Sequence, residues 1–490
     1  MPGYRGRDGH SAAGAQKGIV MPNIPKQALA RQREYAALVK ELLAGLYGGP
    51  QAAQPLALVH TFGCQGNEAD SERIRGMLSL CGFGFTGDIE AADFILYNTC
   101  AIREHAEDRV FGNVGRLKTR RLENKNLRVA LCGCMVQQPH VAQKLRQSFP
   151  FVDLIFGTHN QYQLPQLLYR MYAGGSRVCE IADEPGGIAE DLPLRRASAY
   201  KAWLPVMYGC DNFCSYCVVP LVRGRERSRA PEMILQEARQ LIAAGYREIT
   251  LLGQNVNSYS ASDYNFSRLL CEVDAIDGDY LLRFVTSHPK DCSRALLEAM
   301  ANGRHIAGHI HLPVQSGNNR ILREMNRGYT REDYLKLAAL ARDLMPCLSI
   351  TSDIIVGFPG ETHAEFQDTL SLVDEVGFTS LFTFIYSPRA GTRAAALPDP
   401  VPHEEKVRRL QALTALQEQK AAARCAAMPG QTLRLLCEGS KGKRLALTGR
   451  SESNQIVEFD GPEDLIGQFV TVEITKANQW LLDGVLVNEL

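Results

Sequence analysis

Residues 208–220 read YGCDNFCSYCVVP, with Cys210, Cys214 and Cys217 spaced C-x3-C-x2-C directly behind the apolar run WLPVMY. Three thiolates on one loop can hold three irons of a [4Fe–4S] cube and leave the fourth iron without a protein ligand. The amino and carboxylate groups of S-adenosylmethionine can chelate that open iron. An electron from the reduced cluster then breaks the sulfur–ribose bond, giving methionine and a 5′-deoxyadenosyl radical. The competing reading is a structural zinc site, which usually takes four ligands in paired C-x2-4-C knuckles. No second knuckle lies nearby, and Cys271 and Cys292 stand alone. The spacing favours the cluster.

Downstream of this loop the chain alternates. Between about 200 and 400 six strand candidates occur, WLPVMY, EITLLG, LLRFVT, HIAGHIHLPV, LSITSDIIVG and SLFTFIY, and helical stretches follow the first five. Six β/α units suit an incomplete barrel better than a closed eight-stranded one. The helix HEEKVRRLQALTALQEQKAAARCAA then leads to Pro429-Gly430. Beyond it RLLCEG, LALTGR, QIVEFD, FVTVEIT and WLLDGVLV are separated by turn residues, as in a small antiparallel barrel.

Upstream, LALVHTF, DFILYNT, LRVALCG and VDLIFGT alternate with helical patterns such as EADSERIRGMLSL. That alternation predicts a small parallel α/β domain. The expected division is an extension over 1–54, an α/β domain over 55–175, a partial barrel over 196–426 and a β-barrel over 428–490. DEPGGIAEDLP links the α/β domain to the partial barrel. The extension holds the amphipathic helix KQALARQREYAALVKELLAGLY, which stops at Gly48-Gly49-Pro50. Met1 and Met21 are both possible starts, and no chemistry is assigned to the segment.

Bulk properties exclude little. The chain has 490 residues, room for roughly three domains. Its 54 Lys and Arg balance 54 Asp and Glu, so a nucleic-acid partner would need local basic patches. No apolar run reaches the ~18–20 residues that cross a bilayer. The first residues lack the apolar core of a secretory signal. Fourteen cysteines then suit a reducing, cytoplasmic setting, as metal ligands or catalytic groups and not as disulfides.

Three further cysteines stand out: Cys64 in HTFGCQGNEADS, Cys100 in NTCAIREHA and Cys134 in LCGCMVQQ. Each follows an apolar strand and precedes a helix, so a parallel sheet can bring all three to one edge. Simple burial is the commoner fate of a lone cysteine. Cys132, two residues before Cys134, warns against overcounting.

The C-x3-C-x2-C loop and its six repeats resemble the radical S-adenosylmethionine superfamily, whose fold is a partial (β/α)6 barrel. The resemblance implies that Tyr216 borders the adenine of the cofactor. It also puts Gly253-Gln254-Asn255 near the methionine amino group, although the usual Gly-Gly-Glu is replaced there. Gln315 and Asp353 fall at the ends of the fourth and fifth strands, where sites of such folds collect.

FGCQxNExDSE, NTCxIRE and GCxxQ, taken with the radical motif, are similar to the methylthiotransferase family from about residue 56 onward. The resemblance implies a second [4Fe–4S] cluster on Cys64, Cys100 and Cys134, with Cys132 outside the pattern. It implies two S-adenosylmethionine molecules, one as methyl donor and one as radical source, together with an electron donor and a sulfur source. CVVPLVRGRERSR, LLGQNVNSY, FVTSHP and HLPVQSGNNRILREMNRGYT look like the subgroup acting on carbon 2 of dimethylallyl adenosine in tRNA. The other branches act on threonylcarbamoyl adenosine of tRNA or on a ribosomal-protein aspartate.

The last barrel resembles a TRAM domain, an RNA-binding module. Residues 429–490 carry six Lys and Arg against nine Asp and Glu, a net of −3. Lys441, Lys443, Arg444 and Arg450 cluster and could form a phosphate strip, or simply a solvated face. RLKTRRLENKNLR and RGRERSR offer better basic surfaces. His309 and His311 in HIHLP read as a barrel strand more readily than as a metal pair. VGFPGET lacks the lysine of a P-loop and is expected to be a strand-to-helix turn lining the barrel mouth.

Overall fold

The computed structural model describes residues 23–48, 54–101, 106–184, 186–440, 446–478 and 481–487. Ile102, Arg103, Glu104 and His105 of the NTCAIREHA motif, Lys441, Lys443 and Arg444 of the basic strip, and Met1 and Met21 lie outside the described residues.

The first domain is a six-stranded, wholly parallel sheet of order β2-β1-β3-β4-β5-β6. Its strands are β1 (Leu56–Thr61), β2 (Gly84–Phe85), β3 (Phe94–Thr99), β4 (Arg128–Gly133), β5 (Leu154–Phe156) and β6 (Val178–Glu180). Burial on both faces explains the unbroken apolar runs of β3 and β4. One face packs Phe94, Leu96, Ala130, Cys132 and Phe156 against helices α1 (Lys26–Leu46), α2 (Gln65–Leu80) and α5 (Leu164–Gly174). The other sets Ile95, Tyr97, Val129 and Leu131 against α3 (Ala106–Glu123) and α4 (Pro139–Ser148).

Two features extend the domain past the boundaries read from sequence. Ala36, Val39 and Leu43 of α1 sit in the core, so the helical part of the extension belongs to this layer. β6 continues the sheet to Glu180, beyond residue 175.

The central region supplies six parallel strands in two groups of three. β7 (Lys201–Pro205), β10 (Glu248–Leu252) and β13 (Leu281–Phe284) form one; β14 (His309–His311), β15 (Ser349–Val356) and β16 (Ser380–Ile385) form the other. A parallel bridge from Leu282 to Ile306 joins them, giving one curved, open half-barrel. Two small ribbons decorate it, β8 (Met207–Tyr208) with β9 (Arg227–Ser228) and β11 (Ser260–Ala261) with β12 (Tyr264–Asn265). The helices are α6 (Val219–Arg223), α7 (Pro231–Ala243), α8 (Phe266–Asp274), α9 (Arg294–Asn302), α10 (Asn319–Glu324), α11 (Arg331–Leu344), α12 (His363–Val376) and α13 (His403–Ala426). A core including Leu251, Leu282, Ile310, Ile350, Ile354 and Leu413 fills the space between strands and helices.

The C-terminal unit is a closed five-stranded barrel of order β17-β18-β19-β21-β20. Its strands are β17 (Thr432–Ser440), β18 (Ala446–Ser451), β19 (Ile456–Asp460), β20 (Phe469–Ala477) and β21 (Leu482–Leu486). Four pairings are antiparallel, and β19 closes on β21 in parallel. No helix among the described residues is long and apolar enough to cross a membrane.

Candidate active site

In the first domain β1, β3 and β4 are neighbours, and the register Thr61↔Asn98 and Thr99↔Gly133 brings their ends level. Cys64, Cys100 and Cys134 follow those ends. Cys64 is the N-cap of α2, and its carbonyl accepts the Asn67 and Glu68 amides. A buried polar network fixes the loops. Asn67 Nδ2 donates to Asn98 Oδ1 and to Thr99 O, both at 3.2 Å, while Asn98 Nδ2 donates to Ser71 Oγ at 3.0 Å. Gly133 stands at φ +100, and a Cβ there would lie 2.4 Å from the Thr99 carbonyl. Only glycine lets β4 turn so close to β3. Cys132, still within β4, is fully buried in the apolar core and does not line the cavity.

Cys210, Cys214 and Cys217 lie on the loop after β8, with Cys210 buried and the other two half-buried. Burial pushes the Cys210 and Cys217 thiols up to about 12, with the neighbouring cysteines adding to it. Cys134 is likewise pushed up to about 12, first by burial, while nearby Arg223 acts in the opposite sense and Cys100 and Cys64 reinforce it. Nucleophilic cysteines at neutral pH have depressed values. Cys81 and Cys292, buried elsewhere, are pushed up as far, so the shared placement of the thiols, and not their titration, is what suits metal ligation.

Two arginines touch the cysteines. Arg327 Nη1 donates to Cys214 Sγ and to the Tyr216 hydroxyl, both at 3.3 Å. Its Nη2 donates to Pro313 O at 2.6 Å. Arg223, on the barrel side, donates from Nε to Cys134 Sγ at 3.0 Å and pairs through Nη1 with Asp70 at 2.7 Å. Both arginines are buried. The run VVPLVR, apolar up to its arginine, is the signal that Arg223 is an inside residue.

Both triads border one space. A cavity of about 1380 Å³ is lined by Cys64 and Cys100 of the first domain, by Cys210, Cys214 and Cys217, and by Tyr216, Gly253, Gln254, Gln315 and Asp353. Cys134 lies beside it, packed with Ala101, Val218 and Val222. Gln315 is buried at φ +75, and its Oε1 has no hydrogen-bond partner among the described residues. Tyr208, Ser287, His288, Ser349 and Tyr386 also line the cavity, and each buries a polar atom with no partner among the described residues. Orphaned donors and acceptors gathered in one cavity mark a ligand site. Asn255, by contrast, spends its amide on Asp291 and the His288 backbone.

The donor set fits iron–sulfur cubes. Among the described residues no three His, Cys, Asp or Glu side chains converge on a single metal ion, whereas a cube spreads its thiolates over separate corners. His309 and His311 both bond the Thr351 hydroxyl, at 2.9 and 3.0 Å, as inward residues of β14.

Three expectations change, one of them in part. RGRERSR is not a basic surface: Arg223, Arg227 and Arg229 are buried, and exposed Arg225 is paired with Asp211. Of RLKTRRLENKNLR, Arg116, Lys118 and Lys125 remain exposed, while Arg121 and Arg128 turn to Asp153. The VGFPGET turn faces α13 and does not line the cavity, because Glu361 accepts from Gly357 N and from Arg409 Nη1.

A partial barrel with a three-cysteine loop at its mouth defines a radical S-adenosylmethionine enzyme. Comparison with known proteins agrees. Residues 204–373 match the radical SAM superfamily, 57–157 an uncharacterised protein family (UPF0004), and 426–487 the TRAM domain. A tRNA-2-methylthio-N(6)-dimethylallyladenosine synthase of Oceanobacillus iheyensis is 48% identical over 435 residues, 88% of this chain and 84% of the relative. The protein of that name from Carboxydothermus hydrogenoformans is 48% identical over 87% of this chain and 98% of its own length. The chain belongs to this family of methylthiotransferases. It is a transferase that uses S-adenosylmethionine and [4Fe–4S] clusters. In fold it is similar to the radical S-adenosylmethionine methyltransferase TsrM of Kitasatospora setae, with a TM-score of 0.51 at 14% identity, over 68% of this chain and 73% of that one.

Proposed function

We propose that this chain inserts a methylthio group at carbon 2 of the dimethylallyl adenosine beside the anticodon of tRNA. The observation that carries the proposal is the shared cavity, onto which both cysteine groups converge. Sulfur can reach a carbon radical only if donor and radical source face the same base. When bound, the clusters and S-adenosylmethionine supply the electron, the radical, the methyl group and the sulfur.

The chain's own residues hold and orient these groups. Cys210, Cys214 and Cys217 would ligate the radical cluster, and Cys64, Cys100 and Cys134 the second. Arg327 and Arg223 donate to one sulfur of each set, which stabilises thiolate charge where water is excluded. Tyr216, Gly253, Gln254, Gln315 and Asp353 would border S-adenosylmethionine. Unpartnered Gln315 Oε1 is ready to accept a hydrogen bond from it. Exposed Arg116, Lys118 and Lys125, with the C-terminal barrel, offer phosphate contacts. An electron donor and a sulfur source complete the set of partners, and we infer that the chain works in the cytoplasm.

Nucleoside mass spectrometry of tRNA from a strain lacking the gene tests this. The 2-methylthio mark on dimethylallyl adenosine should vanish, and this chain should restore it. An unchanged tRNA profile would refute the proposal and point to the ribosomal-protein aspartate. Reconstituted protein should bind about eight irons, as two cubes require. The C64A/C100A/C134A variant should keep about half of them and still cleave S-adenosylmethionine, yet form no methylthio product. Four irons in the parent, or full activity in that variant, would sink the two-cluster scheme.

A further inference from the structure

β16 ends the half-barrel and pairs only with β15 among the described strands. Its side chains alternate. Leu381 and Ile385 pack into the core behind the sheet. Phe382 and Phe384 turn the other way, line the cavity, and remain 55% and 45% exposed. The register sets Phe382 beside Asp353 and Phe384 beside Ile355, and Phe382 meets the His311 ring edge-on at 5.8 Å.

The surrounding wall is polar. His309, His311, Ser349, Thr351, Asp353 and Ser380 line this part of the cavity, with Ile355 as the apolar neighbour of Phe384. Two large rings left bare on such a wall are costly in water, and exposed apolar surface of this kind marks a binding site. A phosphate, a ribose or the polar edge of an adenine would gain nothing from them. A branched hydrocarbon would. Residues two apart on one strand face lie about 6–7 Å from each other, a span that a five-carbon substituent covers.

We propose that Phe382 and Phe384 form the subsite for the dimethylallyl substituent of the target adenosine and set the preference for a prenylated over an unmodified base. This rests on the substrate reading above and names the residues that recognise it. The base would enter through the cavity, and the rings would cover its hydrocarbon tail. A polar threonylcarbamoyl group in the same place would leave its carboxylate against two phenyl faces, so the subsite also argues against that substrate.

The test uses the full reconstituted chain and two anticodon stem-loop RNAs, one with dimethylallyl adenosine and one with plain adenosine at the target position. Methylthio product is measured by mass spectrometry as RNA concentration is varied. Phe382→Ala and Phe384→Ala should each raise KM for the prenylated RNA roughly tenfold or more, because a lost apolar contact of a few carbons is worth at least that. The ratio of kcat/KM between the two RNAs should fall by a similar factor. Phe382→Leu and Phe384→Leu should keep most of the preference, and iron content at the parent level shows that each variant folds. An unchanged ratio, or an equal loss on both RNAs, would overturn the subsite. If the parent chain modifies neither RNA, the tRNA substrate itself is wrong and the subsite falls with it.

Discussion

Arg223 is buried with its carboxylate partner Asp70, their side chains 9% and 5% exposed. Breaking such a pair leaves a lone buried charge, at a cost of about 3–5 kcal/mol. Arg223→Met should therefore lower the thermal midpoint sharply. The double variant Asp70→Asn/Arg223→Met should recover much of the loss, because no uncompensated charge is left. A double variant as unstable as the sum of the two singles would show that the pair is not coupled. The placement of the six cysteines at or beside one cavity was legible in sequence, because a strand end followed by a helix start puts a residue at a sheet edge whatever the rest of the chain does. The arginines were not, the apolar run before Arg223 being the one hint of an inside residue. Charge alone does not say whether a guanidinium meets solvent or a buried acceptor, so Arg223, Arg227 and Arg229 read as surface when they are interior. Glu190 illustrates the same gap. It lies in the linker, yet its carboxylate takes a two-pronged hydrogen bond from Arg229.

At the scale of elements, α12 shows how local chemistry starts a helix. Thr362 caps it, and Glu365 closes a capping box while also taking Arg320 Nε and Nη2 at 2.5 and 2.7 Å. Those hydrogen bonds, Arg320 first and then the Thr362 cap, hold the Glu365 carboxyl down at about 2. Its folded form binds the proton more weakly than the unfolded chain, whose glutamates titrate near 4.3. The stabilisation is thus complete above that value and fades as pH falls through about 2. Glu365→Gln should cost about 1–2 kcal/mol at neutral pH and flatten the acid limb of the stability curve between pH 4.5 and 2. An acid limb identical to the parent's would refute this. Every barrel strand lies within or overlaps a run found in sequence, since buried parallel strands are continuous apolar runs. β2 and β6 were missed because Gly84-Phe85 and Val178–Glu180 are too short and too mixed to form an apolar run, unlike the three-residue β5, Leu-Ile-Phe. α1 was found as a helix, but its docking depends on the face of α5 that it covers, which its own sequence cannot reveal.

Across the whole molecule the three units are joined by buried charge. Arg196 links Glu72 of α2 to Glu237 of α7 at 2.9 and 2.7 Å, and Arg229 adds Glu237 at 3.0 Å. This clamp holds the second cysteine triad against the mouth of the half-barrel, so the shared cavity is a product of domain docking. The far end is closed in the same way. Arg283 of β13 bonds Glu248 at 2.8 Å and reaches the Ser451 and Glu452 carbonyls of the C-terminal barrel at 2.7 and 3.1 Å. Arg450, Ser453, Asn454 and Gln455 of that barrel line the same cavity as the cysteines. The C-terminal unit, which matches the TRAM domain, is therefore a wall of the site. Arg283→Met strips two carbonyls and one carboxylate of their donor. Lys201, 3.7 Å from Glu248, still meets part of that charge. The expected cost is about 2–3 kcal/mol, below that of a fully orphaned pair. Part of it falls on the β10–β13 contact within the half-barrel, and the loss of the two carbonyl bonds falls on the docking. Limited proteolysis should then release the C-terminal unit by cleavage near Pro429-Gly430 faster than in the parent. KM for tRNA should rise with little change in iron content. If proteolysis and KM are both unchanged, the C-terminal barrel is held by its remaining contacts, and Arg283 does not govern the docking.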